Sequence, residues 1–309
     1  TVGDVVKLYL TPSNREDFFT FTRMLIGQLR QVGKTHTAER YVTVMNSFGR
    51  FRRENELLWE EVDSDLMVEY ETYLKSRGVC PNTSSYYMRG LRAIYNRAVE
   101  KGMTVQREPF KYVYTGIDKT IKRAVPLKVI RQIRDLDLTL FPTMDFARDI
   151  FMFSFYTRGM SFIDMAYLKK KDLQGGTLSY RRQKTGQQLF VKWEKPMQEI
   201  VDKYNTNGTP YLLPIIRDMN ADIRRQYKNA AHLVNDKLKK LGEKLGLTVP
   251  LTSYVARHGW ASIARSRNIP LAIISEAMGH DSEKTTRIYL ASLDTTSVDK
   301  ANSRILKAL

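Results

Sequence analysis

One stretch of the chain breaks the pattern of the rest. From Gly176 to Trp193, two β-prone runs, Thr177-Leu178-Ser179-Tyr180-Arg181-Arg182 and Gln188-Leu189-Phe190-Val191-Lys192-Trp193, flank the short turn Gln183-Lys184-Thr185-Gly186. Such runs around a glycine-bearing turn predict a β-hairpin. The segments before and after it carry apolar residues at helical spacing. The chain therefore reads as mainly α with a small β-sheet.

Residues 1–112 read as a helical bundle. One helical segment starts over Asp4 to Tyr9. A second runs from Phe18 to Val32, with Phe18, Phe21, Leu25 and Leu29 on one side. A third runs from Thr35 to Arg53 with Tyr41, Val44, Met45 and Phe48, and a fourth from Ser64 to Ser76 with Leu66, Val68, Tyr70 and Leu74. The fifth starts at a Thr83 or Ser84 cap and ends at Gly102, with an apolar stripe of Tyr87, Leu91, Ile94, Tyr95 and Ala98. Arg89, Arg92, Asn96 and Arg97 fall mostly off that stripe, which gives the bundle a basic surface. Pro109 to Val125 breaks the helical pattern, and residues 113–125, with Gly116 and the run KTIKRAVP, read as an interdomain linker. A basic run there either tracks a phosphate backbone or is a solvated face.

Residues 126–290 read as a second, mixed domain. Helices are expected at Leu127–Asp135, Asp145–Tyr156, Met197–Tyr204, Asn220–Leu245, Thr252–Ser266 and Leu271–Met278 around the hairpin. In the tail, 291–309, Val298, Ile305 and Leu306 could form a short amphipathic helix.

Charge narrows the partners. Fifty Lys and Arg against 33 Asp and Glu give a net charge of +17. A field of that sign draws polyanions, nucleic acid first, unless the protein is simply basic. Cys80 is the single cysteine, so no disulfide closes within the chain and a reducing compartment fits. His36, His232, His258 and His280 are scattered without metal-ligand spacing, so no metal is expected. No apolar run is long enough for a membrane span, and TVGDVVKLYL has no signal-peptide pattern. The expected location is the cytoplasm, with the nucleoid.

Four short features can carry chemistry. LTSYVARHGWASIA (251–264) places Arg257 beside His258 in a helix. AMGHDSEKTTRIYLA (277–291) ends a helix at Gly279, follows with His280, and reaches Tyr289 nine positions later after Thr285-Thr286. The hairpin carries Lys184 at its tip. FYTRGMSFIDMAYLK (155–169) is the fourth.

At Arg257-His258, Gly279-His280 and Thr285-Thr286-Arg287-Ile288-Tyr289, the sequence resembles the tyrosine recombinase (phage integrase) family. The resemblance covers nearly the whole chain. The front, with TAERYVTVMNSFGRF and SSYYMRGLRAIYNRAVEKG, looks like the family's core-binding, SAM-like domain. The resemblance implies that domain followed by an α+β catalytic domain. It also implies a site-specific DNA recombinase that cuts and rejoins DNA through a 3′-phosphotyrosine, without metal, ATP or other cofactor. Integration and excision of a mobile element, or inversion of a DNA segment, both fit.

The implied roles suit the residue types. Tyr289 attacks the scissile phosphate, and the covalent intermediate conserves the bond energy for rejoining. Arg257 clamps the phosphate, since a guanidinium fork matches two oxygens at once. His280 hydrogen-bonds the phosphate or manages the nucleophile's proton. Lys184 is the general acid for the leaving 5′ oxygen.

Two positions depart from the family. Ser161 stands where its first catalytic Arg is usual, counted back from Asp164. If 155–169 is helical, Arg158 lies one turn away and can replace it; Arg181, Arg182 or an upstream Arg are the other candidates. Tyr254 stands where a His is usual, and is a poorer base that can still donate to phosphate. These departures resemble integrases of conjugative transposons and DNA invertases.

The resemblance further implies double-stranded DNA with inverted-repeat sites as partner, bound between the two domains. The candidate contacts are Lys34, Arg40, Arg89 and Arg92 in front and Arg181, Arg182 and Lys184 behind. It also implies a homotetramer on paired sites, with the tail docking on a neighbouring subunit or packing on its own domain. Two other readings compete: a DNA-binding regulator on this fold with impaired catalysis, and a metal-dependent nuclease using Asp135 and Asp137 or Asp63 and Asp65.

Overall fold

The computed structural model describes residues 17–53, 56–118, 124–280, 282–291 and 305–306. The chain divides into two units, Thr1–Lys119 and Thr120–Leu309, each with a hydrophobic core of its own.

The first unit is helical. Helix α1 (Phe18–Gln31) starts where the Asp17 carboxylate accepts the N–H groups of Phe19 and Thr20. Helix α2 spans Thr35–Arg52, and α3 (Ser64–Ser76) is capped by Asp63. Helix α4 (Pro81–Glu100) starts earlier than the Thr83 or Ser84 cap expected. The fixed φ of Pro81 suits the first helical turn, so Cys80 is the cap and Ser84 is buried inside the helix. Aromatic rings fill the core edge to face, with Phe48 at 4.9 Å from Tyr70 and 5.6 Å from Phe18 between ring centroids. Val68, expected on the apolar side of α3, is exposed; Met67 turns inward with Leu66, Tyr70 and Leu74. Val68 sits two positions from Leu66 and Tyr70, and two positions is half a helical turn.

The start of the expected linker is laced to this unit. The buried Glu71 carboxylate accepts the Tyr114 N–H at 2.8 Å, the Ser85 hydroxyl donates to the Gly116 carbonyl at 2.5 Å, and Asn82 pairs with the backbone of Asp118 in both directions. Residues 119–123 lie outside the described residues, as do the segment Asp4 to Tyr9 and the tail apart from Ala291, Ile305 and Leu306. Ile305 and Leu306 are helical and exposed.

The second unit comprises α5 (Leu127–Arg134), α6 (Pro142–Tyr156), α7 (Phe162–Tyr167), β1 (Leu173–Gln174), β2 (Thr177–Arg181), β3 (Gln188–Lys192), α8 (Lys195–Asp202), α9 (Ile223–Lys244), α10 (Ser253–Ser266), α11 (Leu271–Met278) and α12 (Glu283–Ala291). The sheet is antiparallel in the order β1-β2-β3. Leu178 faces Val191 and Tyr180 faces Leu189, all four buried, as hairpin alternation requires. The two-residue strand β1 is too short to leave a periodic signal. Helix α6 is the centre of the core, with Ile150, Phe151, Met152 and Phe153 all buried. An ionic network of Asp145, Arg148, Asp149 and Lys203 ties it to the end of α8.

The stretch 155–169 is not one helix. Helix α6 closes at Tyr156, with Gly159 N–H on the Ser154 carbonyl (2.7 Å) and Arg158 N–H on that of Phe155 (3.2 Å). This pair of bonds is a Schellman closure. Arg158 and Gly159 take positive φ of 62° and 79°. Helix α7 then starts afresh with Ser161 as its cap. The helical register that would set Arg158 one turn from Ser161 does not form.

Candidate active site

Helix α10 seats on α9 through Ser253, whose N–H reaches Asn235 Oδ1 at 2.9 Å. One turn in, Arg257 is buried, at 3% exposure. It gives Nη1 to the Gly159 carbonyl at 2.7 Å and Nη2 to the Met278 carbonyl at 2.6 Å. The Met278 carbonyl lies at the C-terminal end of α11, where the helix presents unpaired, partly negative oxygens. A cation is well placed there. Gly159 allows the approach: a Cβ on it would lie 2.7 Å from the Arg257 Cα, in a backbone region only glycine enters freely.

Gly279 ends α11 in the left-handed conformation, and a Cβ on it would come within 2.9 Å of Leu189 and 3.2 Å of Arg182. Its carbonyl accepts Nη1 of Arg182. Two buried guanidinium groups are thus held on consecutive carbonyls, Met278 and Gly279, just before His280. The His280 Nε2 lies 3.1 Å from Arg257 Nη2, and its Nδ1 lies 2.7 Å from the Thr286 hydroxyl. Burial first, then the charges of Arg257, Arg182 and Lys184, push His280 down to about 4. Its imidazole is neutral at physiological pH. The Lys184 charge reaches it although that side chain is exposed at the hairpin tip.

The hairpin loop is fixed on both sides. Arg182 N–H bonds the Gln187 carbonyl, and Arg181 braces the turn through the Gly186 carbonyl, both at 2.8 Å. Asp164 of α7, buried at 4% exposure, accepts the Gln183 N–H at 2.8 Å and the Ser161 hydroxyl at 2.6 Å. The residue next to Lys184 is therefore tied to the cap of α7. Burial and the Asp164 charge push the Tyr180 phenol well above its ordinary value, against the opposing charges of Arg257, Arg182 and Arg158.

Chemically, the cluster offers fixed guanidinium donors, a neutral imidazole and a nearby flexible ammonium, which suits stabilising charge on a phosphoryl group. Residues 17–116 match the phage integrase SAM-like domain, and residues 142–296 match the phage integrase family.

The chain belongs to the phage integrase family.

Its relatives agree. A tyrosine recombinase XerA of Pyrococcus horikoshii is 23% identical over 263 residues, covering 74% of this chain and 90% of that protein. A tyrosine recombinase XerC of Syntrophus aciditrophicus is 25% identical over 282 residues, covering 83% and 87%. Among solved structures, a lambda integrase tetramer bound to a Holliday junction has a TM-score of 0.67 at 14% identity, covering 92% of this chain and 80% of that one. XerH site-specific recombinase bound to a palindromic difH substrate, a post-cleavage complex, has 0.66 at 15% identity, covering 90% and 84%. The phage integrase fold is thus shown on both units, and the protein is a site-specific recombinase of the tyrosine recombinase type.

On this recombinase, the structure brings together Arg257, His280, Arg182 and the loop bearing Lys184. Tyr289 stands on α12, and its side chain lies outside what is described. Arg158 gives Nη1 to the Phe190 carbonyl at 3.2 Å. Tyr254 is half-exposed and packs edge-on against His258, 4.8 Å between ring centroids. Of the expected DNA contacts, Lys34 and Arg92 are exposed, Arg89 is half-buried against the Ser85 carbonyl, and the half-buried Arg40 lies over the Tyr86 ring at 5.1 Å. Arg182 is no surface contact: at 7% exposure it is bound into the wall of the site, because its partner is the Gly279 carbonyl. Asp135 and Asp137 serve local contacts with Arg134 and Thr139, and Asp63 caps α3. Among the described residues no group of three or more acidic, His or Cys side chains could hold a metal.

Sequence reasoning missed what Gly159 and Asp164 do. The Asp164 role had a signal: Ser161-x-x-Asp164 is a helix-start pattern. The Gly159 role had none.

Proposed function

We propose that this recombinase cuts and rejoins DNA through a covalent phosphotyrosine formed on Tyr289. The observation that carries the reading is the convergence of Arg257 and His280 at the end of α11, on the helix pair that precedes Tyr289. The Tyr289 oxygen bonds to the scissile phosphorus, the bond from phosphorus to the 5′ oxygen breaks, and Lys184 protonates that oxygen as it leaves. The strand end remains linked to the enzyme as a 3′-phosphotyrosine. Arg257, held on the Gly159 and Met278 carbonyls, presents its positive charge to the non-bridging oxygens. The phosphate's negative charge raises the pKa of His280, which takes up the phenol proton and can then donate to a phosphate oxygen.

The second cation is Arg158. Its backbone occupies the left-handed slot of a Schellman closure, where glycine is usual. Such a conformation is strained for a non-glycine residue, and strained residues of this kind are enriched at functional sites. Its guanidinium shares the electrostatic surroundings of Tyr180 with Arg257 and Arg182.

The DNA is double-stranded, bears inverted-repeat sites, and is bound by both units through Lys34, Arg89, Arg92, Arg181 and Lys184. Four copies act on paired sites, as the lambda integrase tetramer on its Holliday junction suggests by likeness. Excision, integration or inversion of a segment is the outcome.

Nicked suicide duplexes carrying the repeats that flank the gene test the reading. A covalent complex that forms in EDTA and is lost in Tyr289→Phe is expected. Binding without any covalent complex would instead establish a regulator on this fold.

A further inference from the structure

We propose that Thr286 is the positioning residue of this site: its hydroxyl oxygen holds the Nδ1 proton of His280 and so, with Arg257 at Nε2, fixes the tautomer and the orientation of the imidazole. The proposal rests on the phosphotyrosine reading for its catalytic consequence, and on geometry for its structural one.

The argument starts from Arg257. A guanidinium has donors and no acceptor. Its Nη2 stands 3.1 Å from His280 Nε2, so that nitrogen must present its lone pair. The proton of the neutral ring then sits on Nδ1. The Thr286 Oγ1 lies 2.7 Å from Nδ1 and accepts it. In the other tautomer, two N–H groups would face each other at Nε2. Thr286 is fully buried, at 0% exposure, so water cannot take over when the hydroxyl is removed.

The bond also joins two elements. His280 follows α11, whereas Thr286 lies in α12, three residues before Tyr289. The chain of contacts from the Gly159 carbonyl through Arg257 and His280 to Thr286 therefore ends on the helix of the nucleophile. One hydroxyl thus completes the protonation pattern that Arg257 imposes on the imidazole and ties that helix to it.

The test uses the full chain, selectively labelled with ¹⁵N-histidine, the His280 signal being assigned with His280→Gln. The wild-type protein should show the Nδ1–H tautomer at His280 with that N–H hydrogen-bonded, Thr286→Ser should keep both, and Thr286→Val, which leaves the N–H without an acceptor, should shift the His280 signals. On nicked suicide duplexes, Thr286→Val should form covalent complex roughly tenfold more slowly or worse, and Thr286→Ser should stay within roughly threefold of wild type. An Nε2–H tautomer in the wild type, or a Thr286→Val protein that cleaves at the wild-type rate, overturns the proposal. The first of these needs no variant, so a poorly folding Thr286→Val protein does not shield it. Absence of any Tyr289-dependent complex in the wild type would sink the phosphotyrosine reading instead, leaving the tautomer to decide the hydrogen bond.

Discussion

A single methyl group added to Gly159 would lie 2.7 Å from the Cα of Arg257. The loop after α6 and the middle of α10 meet backbone to backbone, and the Gly159 carbonyl takes Arg257 Nη1 at that contact. Gly159→Ala should therefore lower stability by roughly 1–3 kcal/mol from the left-handed backbone alone, with the clash adding to it. It should also slow covalent complex formation by displacing Arg257. Urea unfolding midpoints, beside cleavage of a nicked duplex, read both effects, and an unchanged midpoint would remove the close-approach argument.

Arg158 offers an unusual separation of stability from activity. Glycine fits its left-handed backbone without strain, so Arg158→Gly should leave stability within about 1 kcal/mol of wild type or raise it. If the guanidinium serves the phosphate, cleavage should still fall roughly ten- to a hundredfold. Arg182→Ala should behave differently, losing stability and cleavage together, because Arg182 braces the Gly279 turn. An Arg158→Gly protein that cleaves at the wild-type rate would exclude Arg158 from the site.

Asp164 holds the hairpin from below. Replacing it with Ala leaves the Gln183 N–H and the Ser161 hydroxyl without their acceptor, a loss of roughly 1–3 kcal/mol. The loop carrying Lys184 should then lose its seat, so cleavage should drop while DNA affinity at fixed salt changes little. Asp164→Asn keeps one acceptor and should recover part of the rate. Equal cleavage by Asp164→Ala and wild type would show that Lys184 needs no such support.

His280 makes stability depend on pH in a definite direction. Its folded value of about 4 lies below the ordinary 6.5. Between those values the unfolded chain binds the proton and the folded site does not, so stability rises with pH across that window and is lost as pH falls from about 6.5 toward 4. Urea unfolding of wild type and His280→Gln over this range should show the steeper loss in the wild type. Parallel curves would mean that the imidazole is not held neutral by burial and its cationic neighbours.

Much of this was legible in the sequence, and the limits have physical causes. The hairpin was marked by its turn, and Arg257, His280 and Tyr289 were singled out by short motifs, whereas the helix that carries Tyr289, Glu283–Ala291, was not foreseen. The helix end at Tyr156 was legible, but the left-handed turn at Arg158 was not, because FYTRGMSF carries apolar residues on both sides of it; only Ser161-x-x-Asp164 announced a new helix. The surface role expected of Arg182 failed because its partner, the Gly279 carbonyl, is 97 residues away. The Gly159 carbonyl stands 98 residues from Arg257, and no local pattern foretells such a pairing.

Main-chain oxygens, those of Gly159, Met278 and Gly279, take three of the bonds that aim Arg257 and Arg182. A carboxylate would orient a guanidinium and cancel its charge in the same act; a peptide carbonyl orients it and leaves the full cation in place. Small oxyanions should accordingly compete for this spot, so a sulfate or phosphate buffer would act as a weak inhibitor where a chloride buffer of equal ionic strength would not.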